Sequence, residues 1–433
     1  MKLVKMSLAA AVLLGASAFA VDNIKVSGDA KLYYGTNNKE ATSGALTNNG
    51  TSGELFSKSN SMADTALRVG VTGDLTKGVS FGLTGYAIST LGLENNLVSN
   101  TWTGSHSTTA NSSSGGAQVN DAAWMGEAWI AATMGKTTAK LGRMELDTPL
   151  AFSEKWSVVP NTFEAAVLIN QDLPDTTLVG AWVGKGNGTN ALVAAYNPGL
   201  GGQNVTSVNA NFNTFNLDGA YAAGAINNSL KFLTAQAWYY NVVNVADAVW
   251  LQADWDCQLV KDIKIGVQYA DMSPKGTVLA LNPTYKDSSA YAVKLAYAGV
   301  EKLNVSAAYS ATDKDGALSV ANTATNLGTA QSKLYTEAYW NYGYVGKAGA
   351  SSYNVTAEYD AGIAKVGAYV TNVEVKPTGY TVAGSMNEAA LTVAKSFGPL
   401  DTTLAYVSTD TNAADQNGGK RYDALYAMLQ LNF

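Results

Sequence analysis

One cysteine, one histidine and eight prolines in 433 residues remove several options at once. Cys257 has no second thiol to pair with, so an intramolecular disulfide framework is excluded. The only imidazole, His106, sits in TWTGSHSTTANSSSGG, a stretch with the composition of a loop, which makes a histidine general base a poor expectation. No nucleophile motif, phosphate-cradling glycine loop or zinc spacing is present, so an enzyme is not expected. Charged residues are only 14% of the chain, and acidic groups outnumber basic ones by 34 to 28, so a nucleic-acid partner is not expected. Beyond the first twenty residues there is no apolar run of the ~20 residues that a membrane helix needs.

The first twenty residues read differently. Lys2 and Lys5 precede an apolar run that leads into Ala18-Phe19-Ala20, the pattern of a cleaved secretory signal peptide over residues 1–20. Export through the Sec pathway is therefore expected, with residues 21–433 forming one domain. Removing those twenty residues, two of them lysines, leaves 413 and takes the formal charge from −6 to −8. A soluble chain of this length usually splits into domains joined by proline- or glycine-rich linkers, and none is visible. What is abundant is tyrosine (23), tryptophan (9) and glycine (42), with a mean hydropathy close to zero. Aromatics, an export signal and no spanning helix together predict an all-β fold, an antiparallel β-barrel in the outer membrane, whose hydrophobicity is hidden by alternation.

Alternation is the test, since residues i and i+2 of a strand share a face. Ile24, Val26, Ala30, Leu32 and Tyr34 are placed toward lipid, and Lys25, Ser27, Asp29, Lys31 and Tyr33 toward the lumen. Leu67, Val69 and Val71 alternate with Asp64, Arg68 and Thr72 in the same way. Tyr291, Val293, Leu295 and Tyr297 alternate with Lys294, and Tyr353, Val355 and Tyr359 with Glu358 and Asp360. Short connections interleave with long Ser/Thr/Asn/Gly-rich ones, as when one membrane side carries turns and the other loops. Eight short turns and nine outer loops make about eighteen strands with both termini on the periplasmic side. The count requires LYTEAYWNYGY, residues 334–344, to belong to a long outer loop or to extend a strand rather than to span. All eight prolines are placed outside strands, where a missing donor does no harm.

The chain ends ALYAMLQLNF, with Phe433, Leu431 and Leu429 on one apolar face. A terminal phenylalanine with apolar residues at every second position resembles the signal read by the bacterial outer-membrane insertion machinery.

The stretch LGRMELDTPLAFSEKWSVVPNTFEAAVLIN breaks the pattern. Lys140 and Arg143 are an odd number apart, so a regular strand would put one of them into lipid. A bulge at Gly142 would turn Arg143 and Glu145 inward and leave Leu141, Met144 and Leu146 outward. Residues 147–162 then form the third outer loop. Leu150, Phe152, Trp156, Val158 and Val159 make it too apolar to stand in water, so it is expected to fold into the lumen and narrow it, presenting Asp147, Glu154 and Lys155 to the passing solute.

LGRMELDTPLAFSEKW and NTFEAAVLINQDLPDTTLVGAW, with the start MKLVKMSL and the terminal LNF, resemble the Campylobacter-type major outer membrane protein, an epsilonproteobacterial porin family. That family is itself similar to the basic-amino-acid porins of pseudomonads. The resemblance is specific over residues 141–182 and diffuse elsewhere. It implies an eighteen-stranded barrel, a homotrimer, an inward third loop and passive passage of small hydrophilic solutes. It also implies a pore calcium, for which no ligand motif is present; Asp121 and Asp147 are acidic candidates without diagnostic spacing.

Selectivity would follow pore width and fixed charge. Inward charges in this register include Arg68, Arg143, Glu164, Lys294 and Glu358, both signs together, and the charge of −8 favours cations weakly. Lipid, lipopolysaccharide and the barrel-assembly machinery are the expected partners. Two other classes stay open: a substrate-specific channel, which needs a ladder of like charges down one wall, and a surface adhesin or structural barrel using the polar loops.

Overall fold

The computed structural model describes residues 21–40, 53–93, 97–98, 100–101, 122–188, 212–325, 330–377, 383–412 and 419–433. The expected signal peptide, His106 and Asp121 lie outside them. Among the described residues no helix is long and apolar enough to cross a membrane.

Among the described residues twenty strands form one sheet. The first group is β1 (Asp22–Asn37), β2 (Ser61–Thr76), β3 (Val79–Ser89), β4 (Asn100–Thr101), β5 (Ala122–Met134), β6 (Thr137–Met144) and β7 (Phe163–Asn170). Next come β8 (Thr176–Gly186), β9 (Asn213–Thr214), β10 (Ala220–Leu230), β11 (Leu233–Val242), β12 (Ala246–Asp256) and β13 (Ile263–Pro274). The last are β14 (Ser288–Val300), β15 (Leu303–Thr312), β16 (Ala350–Asp360), β17 (Lys365–Val375), β18 (Gly384–Phe397), β19 (Leu400–Thr411) and β20 (Tyr422–Asn432). β4 and β9 are two-residue pieces; the other eighteen pair antiparallel in sequence order, and β1 meets β20 from Asp29↔Asn432 to Asn37↔Ala424. The sheet is a closed eighteen-strand barrel. Closure leaves no unpaired edge, the condition for crossing a bilayer with strands.

The seam runs to the last residue. Gly28 N–H donates to the Phe433 carbonyl at 2.8 Å, and Phe433 N–H donates back to Gly28 at 3.0 Å. A Cβ at residue 28 would stand 2.2 Å from the Arg68 carbonyl oxygen and 2.8 Å from the Phe433 ring, so only glycine fits.

The two faces follow the predicted alternation. Val26, Leu67, Leu83, Ile130, Leu141, Leu168, Val293, Val355 and Leu404 are exposed on the outside. Exposed Tyr239, Tyr291, Tyr353 and Tyr406 near the loop ends, and Tyr297, Tyr359, Phe397 and Phe433 near the turns, make two aromatic belts. The inside departs from the expected polar lining. In its loop half it is rich in buried alanines, among them Ala66, Ala248, Ala270, Ala292, Ala405 and Ala424. Such small side chains leave room for chain packed within the barrel.

LYTEAYWNYGY does lie in an outer loop, between β15 and β16, with one 3-10 turn at Tyr342–Tyr344. One proline departs from expectation: Pro274 is the last residue of β13, a strand end where a lost donor is tolerated.

Gly142 takes φ 128°, but the ladder passes through it without a slip, from Lys140↔Ala131 to Arg143↔Ala128. The extra residues sit instead on neighbouring strands, at Gly126 in β5 and Gly184 in β8. Arg143 therefore shares the outward face of exposed Leu141, and Met144 points in, 2% exposed. The physical reason is depth. Arg143 lies at the loop end of β6, where a lipid-side charge costs about 0–1 kcal/mol rather than the ~2–4 at the midplane.

Candidate functional site

The third outer loop is built to turn inward. Asp147 bridges Phe152, the Thr148 hydroxyl donates to the Ala151 carbonyl at 2.7 Å, and Ser153 N–H donates to Leu146 at 2.8 Å. This tight hairpin delivers Leu150 into an apolar cluster with Met144, Phe163, Trp238, Tyr240 and Trp250 on one side of the barrel. Farther along, Val158 and Val159 pack with Tyr33, Ala66, Tyr86, Val407 and Tyr426, inward residues of β1–β3, β19 and β20. The loop thus touches opposite walls.

A second segment joins it. Residues 313–325 and 330–349, of the seventh outer loop, run alongside: Thr323 N–H donates to the Leu150 carbonyl at 2.8 Å, and Asn322 exchanges hydrogen bonds with the Phe152 backbone at 3.1 and 2.9 Å. This loop is held to β13 through Gln268, which donates to the Lys333 carbonyl and accepts from Tyr335 N–H, both at 3.0 Å. At its far end Trp340 stacks on Tyr426, centroids 3.7 Å apart, and Glu388 of β18 accepts from Trp340 N–H, Asn341 N–H and the Asn341 amide at 2.7–2.9 Å. Sequence reasoning placed this segment outside the strands but missed its insertion. The signal was there: Leu334, Tyr335, Tyr339, Trp340 and Tyr342 make it as unfit for open water as 147–162.

The expected site residues divide accordingly. Glu154 is 2% exposed and does not face a solute. Its Oε1 accepts from the Asn322 amide (3.1 Å), the Thr325 hydroxyl (2.6 Å) and Gln331 N–H (3.2 Å), and its Oε2 from the Trp156 indole (3.0 Å). A buried carboxylate is tolerable only with such a set of donors. Lys155 is exposed and pairs with Glu145 at 3.1 Å. Exposed Asp147 pairs with Lys333 of the seventh loop.

Arg68 faces inward, its Nε 2.7 Å from Asp29 and its Nη1 3.4 Å from Glu145. Lys31, Glu127 and Lys140 share that wall, which is a mixed-sign row. Lys294 faces inward from the opposite wall, 4.1 Å from the centre of the Tyr335 ring, and Glu358 accepts from the Tyr369 hydroxyl at 2.7 Å. Below the loops, recesses of about 480 and 180 Å³ are lined by Lys264, Lys294, Asn304, Thr356, Glu358 and Lys365. Arg143 and Glu164 are corrected to the outside, where they pair at 2.9 Å with Lys185 3.7 Å away. Leu431 and Phe433 are outward and exposed at the seam; Leu429 lies on the same face, opposite Leu32.

Among the described residues no group of three His, Cys, Asp or Glu side chains is placed to hold a metal, so these residues do not fit a pore calcium.

Glu337 of the seventh loop accepts from Gln331 Nε2 at 2.6 Å. Burial, reinforced by Glu154, pushes its carboxyl up to about 7. The folded value exceeds the unfolded one, so this group's contribution favours the folded state at low pH and is lost as pH rises to about 7. In conduction, Glu337 gains its charge over the same range. Reversal potentials taken a unit either side of about 7 should show cation preference rising with pH. Glu337→Gln should flatten the curve; an unchanged curve in that variant would assign the titration elsewhere.

No protein-family profile and no curated protein matches the chain by sequence. Solved structures do match by shape. Acinetobacter baumannii OccAB1 aligns with TM-score 0.71 and 16% identity over 96% of this chain and 97% of its own. Pseudomonas aeruginosa OccK8 (OprE) aligns with TM-score 0.70 and 14% identity, over 95% and 98%. The structure of Pseudomonas aeruginosa OpdK with vanillate gives 0.70 and 13%, over 95% and 98%; OpdK is an outer membrane protein. At these identities the likeness establishes the fold.

Proposed function

We propose that the chain is an outer-membrane porin, akin to the Campylobacter-type major outer membrane protein, passing ions and small hydrophilic solutes by diffusion. The observation that supports this best is the pair of loops clasped inside an eighteen-strand barrel above a charged, polar wall. A barrel of that size leaves an aqueous channel unless plugged, and the loops reduce its bore to one edged by Lys155, Asp147 and Lys333. On this reading export, a homotrimeric assembly and contact with lipopolysaccharide belong to the same proposal, with Phe433, Leu431 and Leu429 read by the insertion machinery.

The test is single-channel recording of the refolded protein in a planar bilayer. Steady ohmic steps are expected; a folded protein that inserts without conducting would overturn the reading. Lys155→Glu, which changes two charge units beside the narrowed lumen, should shift the reversal potential toward cations. Arg143→Glu should not, because Arg143 faces outward. Equal shifts in both would contradict the register described above.

One observation favours a second reading, a substrate-specific channel. Arg68, Lys140 and Lys155 bring three cations to one wall, two of them shared with the carboxylates Asp29 and Glu145, and the similar OpdK was solved with an aromatic carboxylate, vanillate. Concentration-dependent block of the current by such a carboxylate would distinguish it from a general porin.

A further inference from the structure

The outward face of β5–β8 and β10 differs from the rest of the barrel. Register stacks its residues in rows. At the loop end, Arg143, Glu164 and Lys185 lie side by side. In the row below are Ile130, Leu141, Ala166, Trp182 and Tyr221, and beneath it Ala132, Ala139, Leu168 and Gly180. In the upper row large residues flank Ala166, and in the lower Ala139 and Gly180 lie either side of Leu168, so the wall is shallowly concave: an open groove of about 660 Å³ lies between Ile130 and Leu141 on one side and Trp182 and Tyr221 on the other, with Leu168 in its floor.

The charged trio at its head is unbalanced. Glu164 is shared by Arg143 at 2.9 Å and Lys185 at 3.7 Å, which leaves the trio one positive charge in excess, and Lys185 is 52% exposed; exposed Asp218, before β10, is bound instead by the Asn244 amide at 2.7 Å. Arg143 also donates to the Met125 carbonyl at 3.0 Å and lies 4.0 Å from the centre of the Phe212 ring, which fixes its plane. Elsewhere on the outward rim the charges described come closer to balance: Asp247 is paired by Lys275 and Asp423 lies 3.8 Å from Arg421, while Asp271, Glu374 and Asp410 add carboxylates.

We infer that this groove seats one lipopolysaccharide molecule of the outer leaflet, its acyl chains against Ala139, Ala166 and Gly180 and a phosphate on Arg143 and Lys185. The inference rests on the membrane reading of the preceding section. A second copy of the chain is the poorer occupant, because burying the trio in a dry interface would strand the excess charge. A phosphate supplies the missing negative charge through charge-assisted hydrogen bonds, and the long loops mark this end of the barrel as the outer side.

The test uses the full folded protein in detergent, titrated with purified lipopolysaccharide and, separately, with phosphatidylcholine, and read by native mass spectrometry and melting temperature. Lipopolysaccharide should bind as a discrete copy and raise the melting temperature, with phosphatidylcholine much weaker. Arg143→Gln with Lys185→Gln should weaken binding about tenfold, the equivalent of one charge-assisted contact. Ala166→Trp, which fills the groove and spares the charges, should weaken it as well. Unchanged binding in both variants overturns the proposal. So does efficient copy-to-copy crosslinking through Ala166→Cys in the membrane, which would give the groove to a second chain. Conductance should be normal in all these variants. Binding without conduction would sink the porin reading and leave this site standing.

Discussion

Deleting residues 151–160 should raise single-channel conductance roughly twofold or more, because an eighteen-strand wall encloses far more space than the inserted loops leave open. The segment carries Phe152, Val158 and Val159, which fill the lumen from the Leu150 side to the wall of β1–β3 and β18–β20. It also holds the seventh loop at Phe152 and Glu154. The deletion therefore removes one obstruction and loosens the second, which Gln268 and Glu388 still hold to the walls. The barrel should survive it, since the ladder from Met144↔Phe163 onward uses none of these residues. A deletion mutant that folds, inserts and conducts like the parent would show that the constriction lies elsewhere.

How much of this was legible in the sequence depends on which side of the wall a residue serves. The outer face was readable because lipid imposes one demand on every strand, and Val293, Leu295, Val355 and Leu404 answer it identically. Strand number followed from the spacing of turns. The inner face was less readable because it serves two media: water near the turns, as at Lys264 and Glu358, and packed protein near the loops, where Ala248, Ala270 and Ala405 replace polar groups. No local pattern announces that change. Residues 147–162 betrayed their insertion by being too apolar for a surface loop, and LYTEAYWNYGY carried the same signal, masked by its resemblance to a strand. Arg143 was misplaced because a charge was assumed to need the lumen. At the end of a strand a carboxylate partner such as Glu164 is enough. Glu154 was misread for the opposite reason: a carboxylate in a lumen loop suggests a solute contact, and only the fold shows that Asn322, Thr325 and Gln331 converge on it.

Glu154→Ala should turn quiet open-channel current into rapid flicker with a raised mean conductance. The substitution leaves three donors facing Oε1 and the Trp156 indole facing Oε2 without an acceptor, each costing about 1–3 kcal/mol if it stays buried. The loops relieve that cost by moving apart and admitting water, and the lumen opens as they do. Glu388 should keep the far end of the seventh loop on β18, so the motion is confined to the Glu154 end. The Gln variant sharpens the test. Glu154→Gln can retain Oε1 as an acceptor, but it must then present its amide N–H to the Trp156 N–H, donor against donor. Trp156→Phe removes that clash at some loss of packing, so the double variant should flicker less than Glu154→Gln alone. The coupling measured by this cycle isolates the contact from the general damage each change does. If the two effects simply add, or if Glu154→Ala records as quietly as the parent, then the loops are held by their apolar contacts with the walls and the carboxylate clasp is incidental.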